Sequence, residues 1–203
     1  MKKIVVFDFD KTLTYVDTIL PFFKFCAKKD IKYPFKLGSY YALMVLAKFG
    51  YISNFKLKDI GIKLFLKNLD KNKFERLSKD FKNHVKLNTL YYETDFSDKN
   101  IQYYIISASF ENYLKHFFPS NVKIIGSKIK FENNKPVGLL FNCYKQAKLK
   151  ALKKEGINQI DIFYTDSFSD YPLAKISDKV VIVDKDKKFM CRDFEEFKRY
   201  FKK

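Results

Sequence analysis

The chain has 203 residues, 47% of them apolar, enough for a sizeable core, which excludes disordered, collagen-like and small disulfide-stapled architectures. Forty basic against twenty-three acidic residues give a net charge of +17. That excess invites a nucleic-acid reading, yet only Arg76, Arg192 and Arg199 are arginines, and bidentate reading of bases favours the guanidinium. Lysine-borne charge fits sequence-independent attraction to phosphate, or simply the Lys-, Phe- and Tyr-rich composition of AT-rich coding.

In chain order, residues 3–9 form a β-branched run ending in carboxylates, the pattern of a strand buried on both faces. From about 15 to 89 the spacing is helical, as in Leu57, Ile60 and Leu64 or Phe74, Leu77 and Phe81. Breaks at Pro34, Gly50 and Asp70 divide this interval into three or four helices. The apolar run 37–47 is expected to be a helix buried among them; the alternative is contact with a membrane surface. It falls short of the roughly 20 apolar residues a spanning helix needs. Further strands are expected at 101–107, 160–165 and 179–183, with helices near 110–118, 145–155 and 193–201. Asn133-Asn134 marks a hairpin turn between 122–131 and 137–142. Strands alternating with helices predict an α/β fold: a Rossmann-like parallel sheet core, residues 1–14 and 90–203, carrying an inserted small α-helical cap at 15–89. Cys26, Cys143 and Cys191 are far apart and odd in number, so they read as packing residues in a reducing compartment. His84 and His116 are isolated and read as structural or exposed. The N-terminal apolar run is too short for a signal peptide, so a soluble cytoplasmic protein is expected.

Chemistry gathers at the strand ends. Asp8 and Asp10, two residues apart, project the same way from an extended strand end; Asp166 and Asp170 follow the strand at 160–165. Parallel sheets collect ligands at these carboxyl ends. So many acids together repel one another unless a cation joins them, and Mg2+ suits carboxylate, carbonyl and water ligands.

These residues resemble the haloacid dehalogenase-like phosphohydrolases. Asp8-Phe9-Asp10-Lys11-Thr12 is similar to that family's DxDxT signature, Ile106-Ser107-Ala108-Ser109 to its second motif, Lys148 to its third and Asp166-Ser-Phe-Ser-Asp170 to its fourth, all in order. The helical insertion resembles the small cap of the phosphoserine-phosphatase-like branch. The resemblance implies an Mg2+-dependent phosphomonoester hydrolase working through an aspartyl-phosphate. Asp8 would be the nucleophile and Asp10 the general acid and base. Asp8, the Asp10 backbone carbonyl, Asp166 and, further out, Asp170 would hold Mg2+. Ser107, the Ala108 amide and Lys148 would bind the phosphoryl oxygens, and Thr12, counted with this phosphate-binding set, would brace the loop that places Asp8 and Asp10. Register with the family favours Lys148 over its neighbour Lys145. Lys145 and Thr165 stand where the family often has glycine, and neither change removes a reacting group. Asp17 aligns with the acidic cap residue that contacts the substrate amine in phosphoserine phosphatases; the alternative is a helix N-cap. No arginine stands between Lys11 and Arg76, so phosphoserine loses its best carboxylate anchor. A small organic phosphate, such as an amino-alcohol, polyol or sugar phosphate, is the first expectation. A lipid phosphate of the phosphatidylglycerophosphate or lysophosphatidate type is the second. A phosphotransferase, or a nucleic-acid-binding module on an inactive fold, ranks below both.

Overall fold

A computed structural model describes residues 2–28 and 30–202. In β1 (Lys3–Phe7) Val5 and Phe7 face one side of the sheet and Val6 the other, and all three are buried. A strand apolar on both faces belongs in the middle of a covered sheet. The other strands are β2 (Ile101–Phe110), β3 (Lys123–Glu132), β4 (Lys135–Phe141), β5 (Ile160–Thr165), β6 (Ser177–Asp184) and β7 (Lys187–Cys191). Their order is β4-β3-β2-β1-β5-β6-β7. The five inner strands pair in parallel, and β4 and β7 close the edges antiparallel. The expected α/β fold is therefore what forms.

Around the sheet lie α1 (Ile19–Ala27), α2 (Tyr33–Lys48), α3 (Asn54–Phe65), α4 (Lys71–Asp80), α5 (Thr89–Glu93), α6 (Glu111–Leu114), α7 (Gln146–Lys154), α8 (Tyr171–Ala174) and α9 (Phe194–Tyr200). One face carries Val5, Phe7 and Ile105 together with Phe22, Phe23, Phe74 and Phe81 of the helical segment. The other packs Val6, Ile106, Phe163 and Ile182 against Leu152, Leu173 and Phe197. α3 and α4 begin where Ser53 and Asp70 side chains accept the Lys56 and Lys73 amide protons, which satisfies orphan donors of the first turn. The two ends of the helical segment meet: Thr14 and Leu87 form an isolated antiparallel bridge, and the Asn88 amide donates to the Leu13 carbonyl at 3.0 Å.

Several details depart from the expectation. β7 is an added edge strand, turned back on β6 at Lys185, whose φ is 57°. The helix expected near 110–118 shrinks to one turn, because β2 runs on to Phe110. The hairpin turn is as expected, with Asn133 and Asn134 both at positive φ (47° and 60°), the conformation that favours asparagine.

The larger correction concerns α2, which contains the run 37–47. It is not buried within the helical segment. Tyr40 is its one buried residue, wedged against Phe23 and Phe65, while Phe35 is 84% exposed and Val45 55% exposed. α2 touches its neighbours along a single edge, and none of the described residues covers the rest. The three cysteines are buried and unpaired; burial pushes the Cys143 thiol up to about 12, so it stays a packing group. His84 is exposed and His116 half-buried.

Candidate active site

The inner strands deliver their carboxyl ends to one place. The Asp8 amide donates to the Tyr164 carbonyl at 2.9 Å, so the residue just past β1 is fixed against β5. β2 loses regular register with β3 between Ile106 and Phe110. This irregularity, of the kind that re-aims side chains beside active sites, holds Ser107, Ala108 and Ser109, and the Ser109 amide donates to Ser107 Oγ at 3.1 Å.

A cavity of about 390 Å³ opens at this point. Its walls include Asp8, Asp10, Asp17, Ser107, Ala108, Lys148 and Asp166, so seven of the residues singled out in the sequence share one space. Two others stand outside its lining. Asp170 is fully buried behind Lys148, whose Nζ lies 2.9 Å from Asp8 Oδ1 and 2.7 Å from Asp170 Oδ1. Asp170 Oδ2 also accepts from Thr165 Oγ1 at 2.9 Å. Its carboxylate is thus engaged with Lys148 and Thr165, one layer behind Asp8. Thr12 is fully buried and its hydroxyl has no hydrogen-bond partner among the described residues, so it is not placed to touch phosphate. The loop is braced by Thr14 instead: its Oγ accepts from the Lys11 amide at 3.0 Å and donates to the Val16 carbonyl at 2.8 Å. The Thr12 carbonyl does take part, accepting from Asn88 Nδ2 at 2.7 Å.

Asp10 is held on both sides. Thr18 donates to Oδ1 through its amide (2.9 Å) and hydroxyl (2.6 Å), and Ser109 Oγ donates to Oδ2 at 2.6 Å. Thr18 Oγ also pairs with the Tyr113 hydroxyl at 2.7 Å. Burial pushes the Asp10 carboxyl up to about 6, against the pull of these bonds and with the charge of Asp8 adding to it. A carboxyl poised near neutrality can both give and take a proton. Burial alone would lower the Lys148 pKa, but Asp170 and Asp8 outweigh it and hold the amine charged. Asp166 is raised by burial and by the charges of Asp8 and Asp170.

The donor set fits a hard divalent cation. Asp8 and Asp166 offer two carboxylates on one cavity, and Asp10 adds a backbone carbonyl. Mg2+ is commonly held by one or two carboxylates with its remaining sites filled by water and phosphate oxygens. Among the described residues, no trio of Asp, Glu, His or Cys side chains already sits at ligand spacing.

Three further groups matter that the sequence reading did not single out. Lys58 of α3 enters the cavity, its Nζ donating to the Ala108 carbonyl (2.7 Å) and Asn142 Oδ1 (2.8 Å); burial pushes its pKa down to about 8. Thr18 and Ser109 hold Asp10. Nothing local distinguishes Lys58 from the other lysines; only the hairpin β3–β4 packing on α3, with the Leu139 amide donating to Asp59 Oδ1 at 2.9 Å, brings it inside. Asp17 lies at the cavity wall, 67% exposed and 2.6 Å from Lys11 Nζ. It does not cap α1, whose N-cap is Thr18.

A profile of the haloacid dehalogenase-like hydrolase family matches residues 5–175. The chain belongs to that family. No curated protein matches it in sequence. Similar solved structures include a protein of unknown function from Bordetella pertussis Tohama I, at 15% identity over 86% of each chain with a TM-score of 0.68. Another is a phosphoserine phosphohydrolase-like protein from Francisella tularensis subsp. tularensis SCHU S4, at 18% identity over 98% of this chain and 99% of that one, TM-score 0.61. A phosphoserine phosphatase described as a phospho-aspartyl intermediate analogue aligns at 18% identity over 98% of each chain, TM-score 0.58. At such identities the likeness is one of fold.

Proposed function

We propose that this hydrolase is a phosphomonoesterase that uses Asp8 as nucleophile and Mg2+ as cofactor. The observation that carries the reading is the pairing, on one cavity, of Asp8 bonded to Lys148 with a nearby carboxyl, Asp10, raised to about 6. Asp8 Oδ2, which no described residue engages, attacks phosphorus, and the bond to the leaving oxygen breaks as Asp10 gives it a proton. The Asp10 carboxylate then takes a proton from water, whose oxygen displaces phosphate from Asp8. Lys148, the Ser107 hydroxyl and the Ala108 amide hold the phosphoryl oxygens, where charge develops in the transition state. Asp170 and Thr165 serve as positioning residues that aim Lys148. Asp8, Asp166 and the Asp10 carbonyl would hold Mg2+, which would supply charge neutralisation for the transferred group.

In this reading residues 15–89 act as a cap over the core formed by 1–14 and 90–203. Lys58 is the buried cation that this segment contributes, in place of an arginine. Asp17 would meet an amine or hydroxyl of a small organic phosphate. A lipid phosphate is a second reading, favoured by the apolar part of the cavity wall, formed by Ile19, Leu20, Tyr40, Met44 and Leu57. The test is a phosphomonoester panel, lipid phosphates included, assayed with Mg2+ on the parent and on Asp8→Asn. Turnover should require the metal and vanish in the variant; undiminished hydrolysis by Asp8→Asn in chelator would refute the mechanism.

A further inference from the structure

The catalytic reading leaves unused an unpartnered apolar surface on α2. Of fifteen large apolar side chains exposed among the described residues, eight fall between Ile31 and Phe55. They are not scattered. At 100° per residue Phe35, Val45 and Phe49 project from one face of α2, with Leu46 and Tyr41 at its borders; Gly38 and Ala42 fill the same face, and Ile31 and Tyr51 extend it at the two ends. Phe35 is 84%, Phe49 72% and Tyr51 80% exposed. A contiguous exposed apolar stripe of this kind marks an interaction surface. On the opposite side of the same helix, Tyr40 and Met44 line the candidate active site.

The rim identifies the partner. Between Thr18 and Lys58 the sequence carries eight lysines and one carboxylate, Asp30, which is paired with Lys36. Exposed Lys28, Lys32, Lys48 and Lys56 stand around the apolar face, and Lys24 lies over the Tyr41 ring. A second copy docking through this face would set lysine rim against lysine rim, on chains each carrying +17. An anionic bilayer reverses the sign of that interaction: phospholipid phosphates and carboxylates meet the lysines, and the headgroup–acyl boundary receives the phenylalanines. No helix of the described residues is long and apolar enough to cross a membrane, so such contact lies in the plane of the interface.

We propose that the exposed face of α2 docks this protein peripherally on anionic lipid bilayers. The inference is independent of the catalytic mechanism, and binding is measured without turnover. The full chain is sedimented with phosphatidylcholine vesicles, alone and with about one-third phosphatidylserine, and its own mass is followed by sedimentation velocity. A monomer that binds the anionic vesicles and partitions poorly to phosphatidylcholine is expected. Binding should weaken roughly fivefold for each lysine contact screened out as salt rises towards about 0.5 M. The double variant Phe35→Ser, Phe49→Ser, at two exposed positions outside the cavity lining, should lose at least about tenfold in partitioning while hydrolysing an aryl phosphate like the parent. Absence of binding to anionic vesicles overturns the proposal. So does undiminished binding by the double variant, which would reduce the effect to net charge. A dimer that the double variant dissolves would assign the face to a second copy. Vesicle binding by a chain with no phosphatase activity would sink only the catalytic reading.

Discussion

At the scale of single residues, the environment of Asp10 separates proton transfer from structure. Its carboxyl is gripped by Thr18 and Ser109, so Asp10→Asn keeps a similar shape and the backbone carbonyl but loses the exchangeable proton. Hydrolysis of an alkyl phosphate should fall about 10²–10⁴-fold, as for a general acid–base group, and less for an aryl phosphate, whose leaving group needs little protonation. Equal losses on both substrates would remove Asp10 from that role. Lys58 offers a pH-dependent counterpart. Its folded-state pKa, pushed down by burial from 10.5 to about 8, lies below the unfolded value, so between these limits the unfolded chain binds more protons. Stability should therefore rise with pH through that window, by up to about 3 kcal/mol at about 1.36 kcal/mol per pKa unit. The Lys58→Met protein lacks this rise, so the difference between the two in urea unfolding should change from about pH 8 to 10.5; a flat difference would mean the amine is solvated. Lys145 is a third case. The family resemblance marks this position as one where glycine is common, and the reason is geometric: φ 51° and ψ −123° lie where only glycine is comfortable. Lys145→Gly should raise the unfolding free energy by about 1 kcal/mol, the strain relieved less the extra unfolded-state freedom of glycine; a loss of stability would mean the lysine's contact with Tyr144 matters more.

At the scale of elements, the two glycines inside helices of the 15–89 segment, Gly38 and Gly61, separate packing from propensity. A Cβ on Gly61 of α3 would meet the Phe23 ring at 2.3 Å and the Tyr40 ring at 3.0 Å, because α1, α2 and α3 converge there. On Gly38 of α2 it would meet nothing within 4 Å. Alanine gains about 0.8–1.0 kcal/mol over glycine inside a helix, whereas overpacking a filled core costs about 1–3 kcal/mol. Gly38→Ala should therefore raise the melting temperature and Gly61→Ala should lower it or leave it unchanged; a clear gain at Gly61 would mean the three helices slide apart freely. The same two helices illustrate what sequence could and could not reveal. The central strands were readable because burial on both faces leaves uninterrupted β-branched runs. Asp8, Asp10, Lys148 and Asp166 were readable because four motifs occur in order. The fate of α2 was not, since an apolar run looks the same whether the protein's own core or something outside covers it. Lys58 and Thr18 escaped for a related reason: their roles arise from long-range packing and neither has a local signature, while Ser109 lay inside a recognised motif but its bond to Asp10 depends on the fold. β7 was missed because its Lys-Lys-Phe-Met-Cys sequence is largely exposed, as an edge strand can be.

At the scale of the whole molecule, the helical segment and the sheet are built as one body rather than as two loosely tethered parts. Phe22 of α1 packs on Phe110 and Tyr113, which belong to and follow β2, as well as on Phe74 and Phe81 of its own segment. Phe23 reaches Phe110 and Phe65 together. The segment is pinned at its root by the Thr14–Leu87 bridge, and at its far side by the Leu139 amide on Asp59 and by Lys58 on Asn142. Removing residues 15–89 would uncover Phe110 and Tyr113 and delete the buried Phe22, Phe23, Phe65, Phe74 and Phe81; fully burying a single phenylalanine is worth about 1.5–3 kcal/mol, so losing several is comparable to the 5–15 kcal/mol that holds a typical domain together. The cap and core should therefore unfold in one cooperative transition. Near-ultraviolet signals from the packed tyrosines and far-ultraviolet signals dominated by the helices should report the same midpoint in urea. The calorimetric and van't Hoff enthalpies should agree. Two separated transitions, the helical signal melting first, would show that the shared aromatic cluster does not couple the halves. In that case residues 15–89 would move as an independent lid, and the bonds of Lys58 to Ala108 and Asn142 would belong to only one of its positions.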